Sequence, residues 1–103
     1  MSMTEALDQS QSGLFSRVHR AIQNHQLNQR TGQTYLHWIS RYVMFHDLRD
    51  PADLGDSERQ AFLGHLQDKL RLSRARLNQA RQALKFFYEE VIGQSDASLP
   101  SGA

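Results

Sequence analysis

Residues 34–49, TYLHWISRYVMFHDLR, decide how this chain is read. Four aromatics, two histidines and two arginines fall within sixteen residues. At about 100° per residue, Tyr35, Trp38, Ile39, Tyr42, Phe45 and His46 gather on one side of a helix. Gln33, His37, Ser40 and Met44 lie roughly opposite, flanked by Arg30, Thr34 and Arg41. The spacing therefore predicts a helix with an aromatic core side and a polar, basic outer side. His46-Asp47-Leu48-Arg49 fits the pattern His-x-x-Arg. His46 falls on the inward side at the helix end, so packing and hydrogen bonding account for it.

That helix is expected over residues 31–48. Gly32 falls in its first turn, where glycine costs less than in mid-helix. Asp50-Pro51 ends it, because a residue before proline avoids helical angles. Upstream, Leu14, Val18, Ala21 and Ile22 predict a helix over 14–25. Downstream, Ala61, Phe62, Leu63 and Leu66 predict one over 57–70, capped by Asp56 or Ser57. A last helix is expected from an N-cap at Ser73 to a stop at Ile92-Gly93. Its inward stripe is Leu77, Ala80, Leu84, Phe87, Tyr88 and Val91, and Phe86 projects to the outer side. Ala75, Asn78, Gln79, Gln82 and Lys85 lie outward, with Arg74 and Arg76 at the N-terminal end. No period-2 run or hairpin turn signals a strand. Residues 1–12 read as a flexible tail. Residues 94–103, rich in Ser, Gly and Pro, read as a linker-like tail. The expected fold is all-α: a compact four-helix bundle over 13–93 with flexible termini.

Composition removes several function classes. The 103 residues suffice for one domain, and 39% hydrophobic content permits a modest core. With no cysteine, neither a disulfide framework nor a thiolate metal site is possible. No apolar run approaches the roughly 18–20 residues a membrane span requires, and the polar N-terminus lacks the character of a signal peptide. His19, His25, His37, His46 and His65 include no His-x-x-x-His pair. There is no Gly-rich phosphate loop and no nucleophile elbow. No metal, cofactor, small-molecule substrate or catalytic centre is expected.

The net charge of +1 hides a segregation. Arg17, Arg20, Arg30, Arg41 and Arg49 precede an acidic stretch, Asp50, Asp53, Asp56, Glu58 and Asp68. Lys69, Arg71, Arg74, Arg76, Arg81 and Lys85 follow it. Should the two basic segments share a face, that face suits a polyanion. Arginine pairs bidentately with guanine, Asn and Gln with adenine, and Lys, Ser and Thr contact phosphates. The helix N-terminus at Ser73 adds backbone N–H donors. Two other readings stay open at this level: a solvated polar surface, or a protein-interaction module anchored by Met44 and Phe86 with no DNA role.

Thr31-Gly-Gln-Thr-Tyr-Leu-His-Trp-Ile-Ser-Arg-Tyr-Val-Met-Phe-His46 resembles the first signature of the N-terminal core-binding domain of tyrosine recombinases, the phage-integrase family. AFLGHL, residues 61–66, is similar to that family's Phe-Leu-x-x-Leu helix. LSRARLNQARQALKFFYEEVI, residues 72–92, is similar to its last helix, through Ser73, Asn78-Gln79, Ala83-Leu84 and Phe87-Tyr88. Tyr-x-x-Trp-Ile, Phe-His and Asn-Gln-Ala look most like integron integrases. Two features depart: Arg76 stands where the signature usually has Thr, and Arg81 and Lys85 add charge.

The resemblance implies a SAM-like bundle forming half of a clamp around duplex DNA, with the second and fourth helices lying across its grooves. It implies contacts from Arg30, Thr31, Thr34, His37 and Arg41, and from Ser73, Arg74, Arg76, Asn78, Gln79, Gln82 and Lys85. In that family the catalytic Arg, Lys, His-x-x-Arg and Tyr belong to a separate domain. The chain is therefore expected to bind DNA without cutting it. The expected partners are double-stranded DNA and a catalytic domain or neighbouring recombinase subunits. The expected place is the bacterial cytoplasm, at the nucleoid.

Overall fold

Trp38, Ile39, Tyr42 and Val43 of the aromatic stretch are all buried, and the rest of the protein is assembled round them. The structure, a computed structural model, describes residues 2–93. Its helices are α1 Met3–Ser10, α2 Leu14–Asn24, α3 Gln29–Phe45, α4 Asp56–Asp68 and α5 Arg74–Phe86. A 3-10 turn, Pro51–Asp53, leads into α4, and α5 runs on as a π-helical segment, Phe87–Ile92. No strand occurs among the described residues. The expected tail over 94–103 lies outside the described residues.

Among the described residues the bundle has five α-helices rather than four, and the extra one lies where a flexible tail was expected. Ser2 caps α1 by accepting from the Glu5 N–H at 3.2 Å, while the Glu5 carboxylate accepts from the Ser2 N–H at 3.1 Å. This reciprocal pair is the capping box. A helix of eight residues is not stable alone. Tertiary contact holds it: Ala6 and Leu7 are fully buried, and α1 packs on α3. Gln11, just beyond it, donates to the Asp50 carboxylate at 2.8 Å.

Docking of α1 fits a second correction. Ser40, expected outward, is fully buried, as is its neighbour Val43. Burial is tolerable because the Ser40 hydroxyl donates to the Leu36 carbonyl at 2.7 Å. At the other edge of α3, Phe45 is 37% exposed rather than central to the core. Its ring closes the core's rim against Phe62 and His65. Tyr35 and Phe86 are both half-buried, with centroids 5.2 Å apart, and His25 meets the same Phe86 ring at 5.4 Å. Phe86 is thus a contact between helices rather than a free outer ring.

The helix ends follow the capping chemistry, with shifts. Asn28, not a residue near Thr31, starts α3 by accepting from the Thr31 N–H at 2.8 Å. Gly55 precedes α4, where Asp56 or Ser57 was expected, and the Glu58 carboxylate takes its N–H at 2.6 Å. Ala61, expected on the apolar face of α4, is exposed. Ser73 does cap α5, accepting from the Arg76 N–H at 3.3 Å. Gly93 ends the last helix in the left-handed region, at φ 69°. His46 closes α3 and bonds through Nε2 to the Glu58 carbonyl at 2.9 Å.

Gly32 has a tertiary task. A Cβ there would lie 2.9 Å from Ile22 Cγ2, so its bare backbone sets the approach of α2 to α3.

Candidate nucleic-acid interface

The largest contact between helices is that of α3 with α5, and it brings the two basic segments together. Where the helices diverge at the surface, a shallow groove opens between them. Arg30, Gln33, Thr34 and His37 of α3 line one wall, and Arg76 and Gln79 of α5 the other. Thr31 and Tyr35 extend it toward the N-terminal end of α3. Trp38, almost fully buried, forms the floor.

Trp38 also organises the charge. The guanidinium carbons of Arg41 and Arg76 lie 5.8 and 5.9 Å from its ring centroid. Both fall within cation–π range, so two like charges from different helices converge on one indole. The His37 ring meets Trp38 edge-on at 4.9 Å. Partial burial, then the fields of Arg41 and Arg76, hold the His37 imidazole below its ordinary value. Among the described residues the ion pairs are His25–Glu90 and Arg59–Asp56, so Arg30, Arg41 and Arg76 have no acidic partner. The groove thus carries the unneutralised guanidiniums of Arg30 and Arg76, with that of Arg41 beside its Trp38 floor, an imidazole, and amide and hydroxyl groups. Chemically it can hold anionic oxygens and still offer directional donors and acceptors.

Not every residue expected at a shared site is brought there. Taking Gln79 as reference, Asn78 is turned by about 100° round α5, and Arg74 and Lys85 by about 120–140°. Lys85 instead lines the surface between α4 and α5, and with Gln82 it borders the Tyr35–Phe86 contact. The Ser73 hydroxyl oxygen accepts the Arg76 N–H in its capping bond, and Ser73 does not line the groove. The expected outer face of α5 is therefore two surfaces, one toward α3 and one toward α4. Trp38 was expected only as core, and its position beneath the groove was not anticipated. The Trp38/Arg41 pair at i, i+3 was a usable signal, whereas the approach of Arg76 was not.

No group of three or more His, Asp or Glu side chains among the described residues is arranged to hold a metal ion. None of their helices is long and apolar enough to cross a membrane.

Residues 14–96 match the family model described as phage integrase, N-terminal SAM-like domain. Two similar proteins, from Escherichia coli and Pseudomonas aeruginosa, each bear the name integrase/recombinase. Each is 44% identical over 63 residues, which is 61% of this chain and 19% of the relative. The matched part is thus about a fifth of the length of these relatives.

Proposed function

Because the chain belongs to the phage integrase N-terminal SAM-like domain family, we propose that it is a DNA-binding module of a site-specific tyrosine recombinase. It grips duplex DNA through α3 and α5 and leaves strand cleavage to a separate catalytic domain. The observation that carries this reading is the α3/α5 groove, where Arg30 and Arg76, with Arg41 beside them at Trp38, stand without acidic partners. Arginines neutralise phosphates, and counterion release supplies most of the affinity. Gln33 and Gln79 lie on opposite walls and have the donor–acceptor pairs that adenine edges match. The protein-interaction reading is weaker, because Phe86, one of its two anchors, is spent on Tyr35 and His25.

The natural partners are duplex DNA, a catalytic domain and neighbouring recombinase subunits, in the cytoplasm at the nucleoid. The sites are of integron type. Alone the module binds weakly, since the other half of the clamp supplies avidity. The test is a titration of labelled duplexes, integron-type sites among them, with the 103-residue chain over a salt series. Binding should weaken steeply with salt. Arg30→Ala and Arg76→Ala should each lower the slope of log K against log salt by about 0.9. Absence of binding to any duplex at low salt, or equal slopes for both variants and the parent, would sink the proposal.

A further inference from the structure

The surface of α5 that faces away from the α3 groove is also cationic. Arg81 and Lys85 are one turn apart, and both are exposed. Across from them on α4, the Arg59 guanidinium lies over the Tyr88 ring at 4.5 Å. These side chains line a second groove, between α4 and α5, with Glu89 as its one acidic member. Glu89 forms no ion pair there, and Arg59 reaches Asp56 only at 3.7 Å. Arg81 makes one long bond, 3.5 Å, to the Asn78 side-chain oxygen. Arg81 and Lys85 therefore have no acidic partner among the described residues.

The floor of this groove is built from core side chains. Leu63, Leu84 and Tyr88 are already buried at 6%, 2% and 6% exposure. The groove's exposed lining is still largely apolar, and the cationic heads of Arg59, Arg81 and Lys85 rim it. The geometry of α5 argues for nucleic acid. A helix with its side chains is about 10–12 Å across, and the major groove is about 12 Å wide. Gln79, Gln82 and Asn78 occupy the crest of α5 between its two cationic flanks.

We propose that the α4/α5 groove is a second phosphodiester-binding site, which holds the backbone strand opposite the one met by the α3/α5 groove. α5 is then a ridge gripped from both sides by one duplex, with its amide side chains at the base edges between. Arg81 and Lys85 carry the second flank, and Arg59 supports it from α4. This inference rests on the DNA-binding reading above.

The experiment compares the 103-residue chain with an Arg81→Gln/Lys85→Gln variant. Both positions are exposed, and circular dichroism checks that the variant folds. The salt slope of duplex binding should fall by about 1.8, twice the increment of one phosphate contact. Ethylation interference should map blocking phosphates to both strands across one major groove for the parent, and to one strand for the variant. A parent-like slope and parent-like interference in the variant overturn the second flank while leaving the first intact. Unchanged DNA binding joined to lost binding of an acidic polypeptide, polyglutamate as probe, also overturns it and assigns the groove to protein. If the parent itself binds no duplex, the DNA-binding reading falls and this inference falls with it.

Discussion

Tyr42 donates its hydroxyl proton to Tyr88. The two oxygens are 2.8 Å apart, and Tyr88 in turn donates to the Pro51 carbonyl at 2.9 Å. A phenol has one proton, and a carbonyl can only accept, so the direction of the chain is fixed. The relay ties the last helix to α3 and to the Pro51 turn, 46 and 37 residues away in sequence, inside the core. Burial raises both phenols above their ordinary range, which favours the protonated relay.

The two tyrosines should not be equivalent. Tyr88→Phe removes the acceptor of Tyr42 and one of two donors to the Pro51 carbonyl, which keeps the Leu54 N–H at 3.1 Å, so the Tyr42 hydroxyl is left buried and unsatisfied. The change should cost about 1–3 kcal/mol, the usual penalty for such a group. Tyr42→Phe leaves the Tyr88–Pro51 bond in place and should cost about 0.5–1.5 kcal/mol. Urea unfolding of both variants measures this. Equal losses, or a larger loss for Tyr42→Phe, would refute the direction assigned to the relay.

Leu7 is fully buried in a helix where a tail was expected. Leu7→Ala should therefore behave as a core truncation, destabilising by about 2–5 kcal/mol. Deleting residues 1–12 should do at least as much harm, since it uncovers the part of α3 on which α1 packs. Thermal unfolding reads both. A melting temperature unchanged by Leu7→Ala would mean that α1 is not docked.

Gly32→Ala should be destabilising even though alanine is the better helix former by about 1 kcal/mol. The added methyl meets Ile22 Cγ2 at 2.9 Å, and a β-branched carbon cannot swing away freely. Ile22→Ala in the same chain should cancel part of the Gly32→Ala loss. A double-mutant cycle without coupling would show that the contact is not what limits this position.

His37 gives the groove a pH dependence. In the free chain, partial burial and the fields of Arg41 and Arg76 depress its proton affinity below the ordinary value of 6.5. Its neutral form is favoured in the fold, so its contribution to stability is full above that value. The contribution is lost as pH falls below it. Phosphates placed against Arg41 and Arg76 screen those fields, so the complex should bind a proton more readily than the free chain does. Duplex affinity should thus rise as pH is lowered from about 7.5 to about 6, and His37→Gln should flatten the rise. Calorimetry in buffers of different ionisation heat should detect proton uptake on binding. Equal uptake by His37→Gln would reassign the effect to another group.

Much of the fold was legible because helix signals are local. The apolar spacing of Leu14–Ile22 and Trp38–Tyr42, the Ser73 cap, the Asp50-Pro51 break and the Gly93 stop each act within one or two turns. The segregation of basic residues was equally visible, since charge order is a property of the chain itself. The Ser2–Glu5 box was also present in the sequence, but two buried apolar residues in eight are too few to announce a helix that cannot stand alone.

Periodicity states which side of a helix is apolar, but not which neighbour will cover it. Long-range packing, α1 on α3 included, buries Ser40, so that a hydroxyl expected in solvent donates to its own helix's carbonyl. Only the crossing of α3 and α5 set Arg76 beside Arg41 over Trp38, and left Lys85 and Asn78 turned toward another face. Local signals along the chain were enough for most of the helices, most of their ends and the surplus of cations. Which cations act together was decided by long-range contacts, because electrostatic cooperation depends on distance in space and helix packing alone sets that distance.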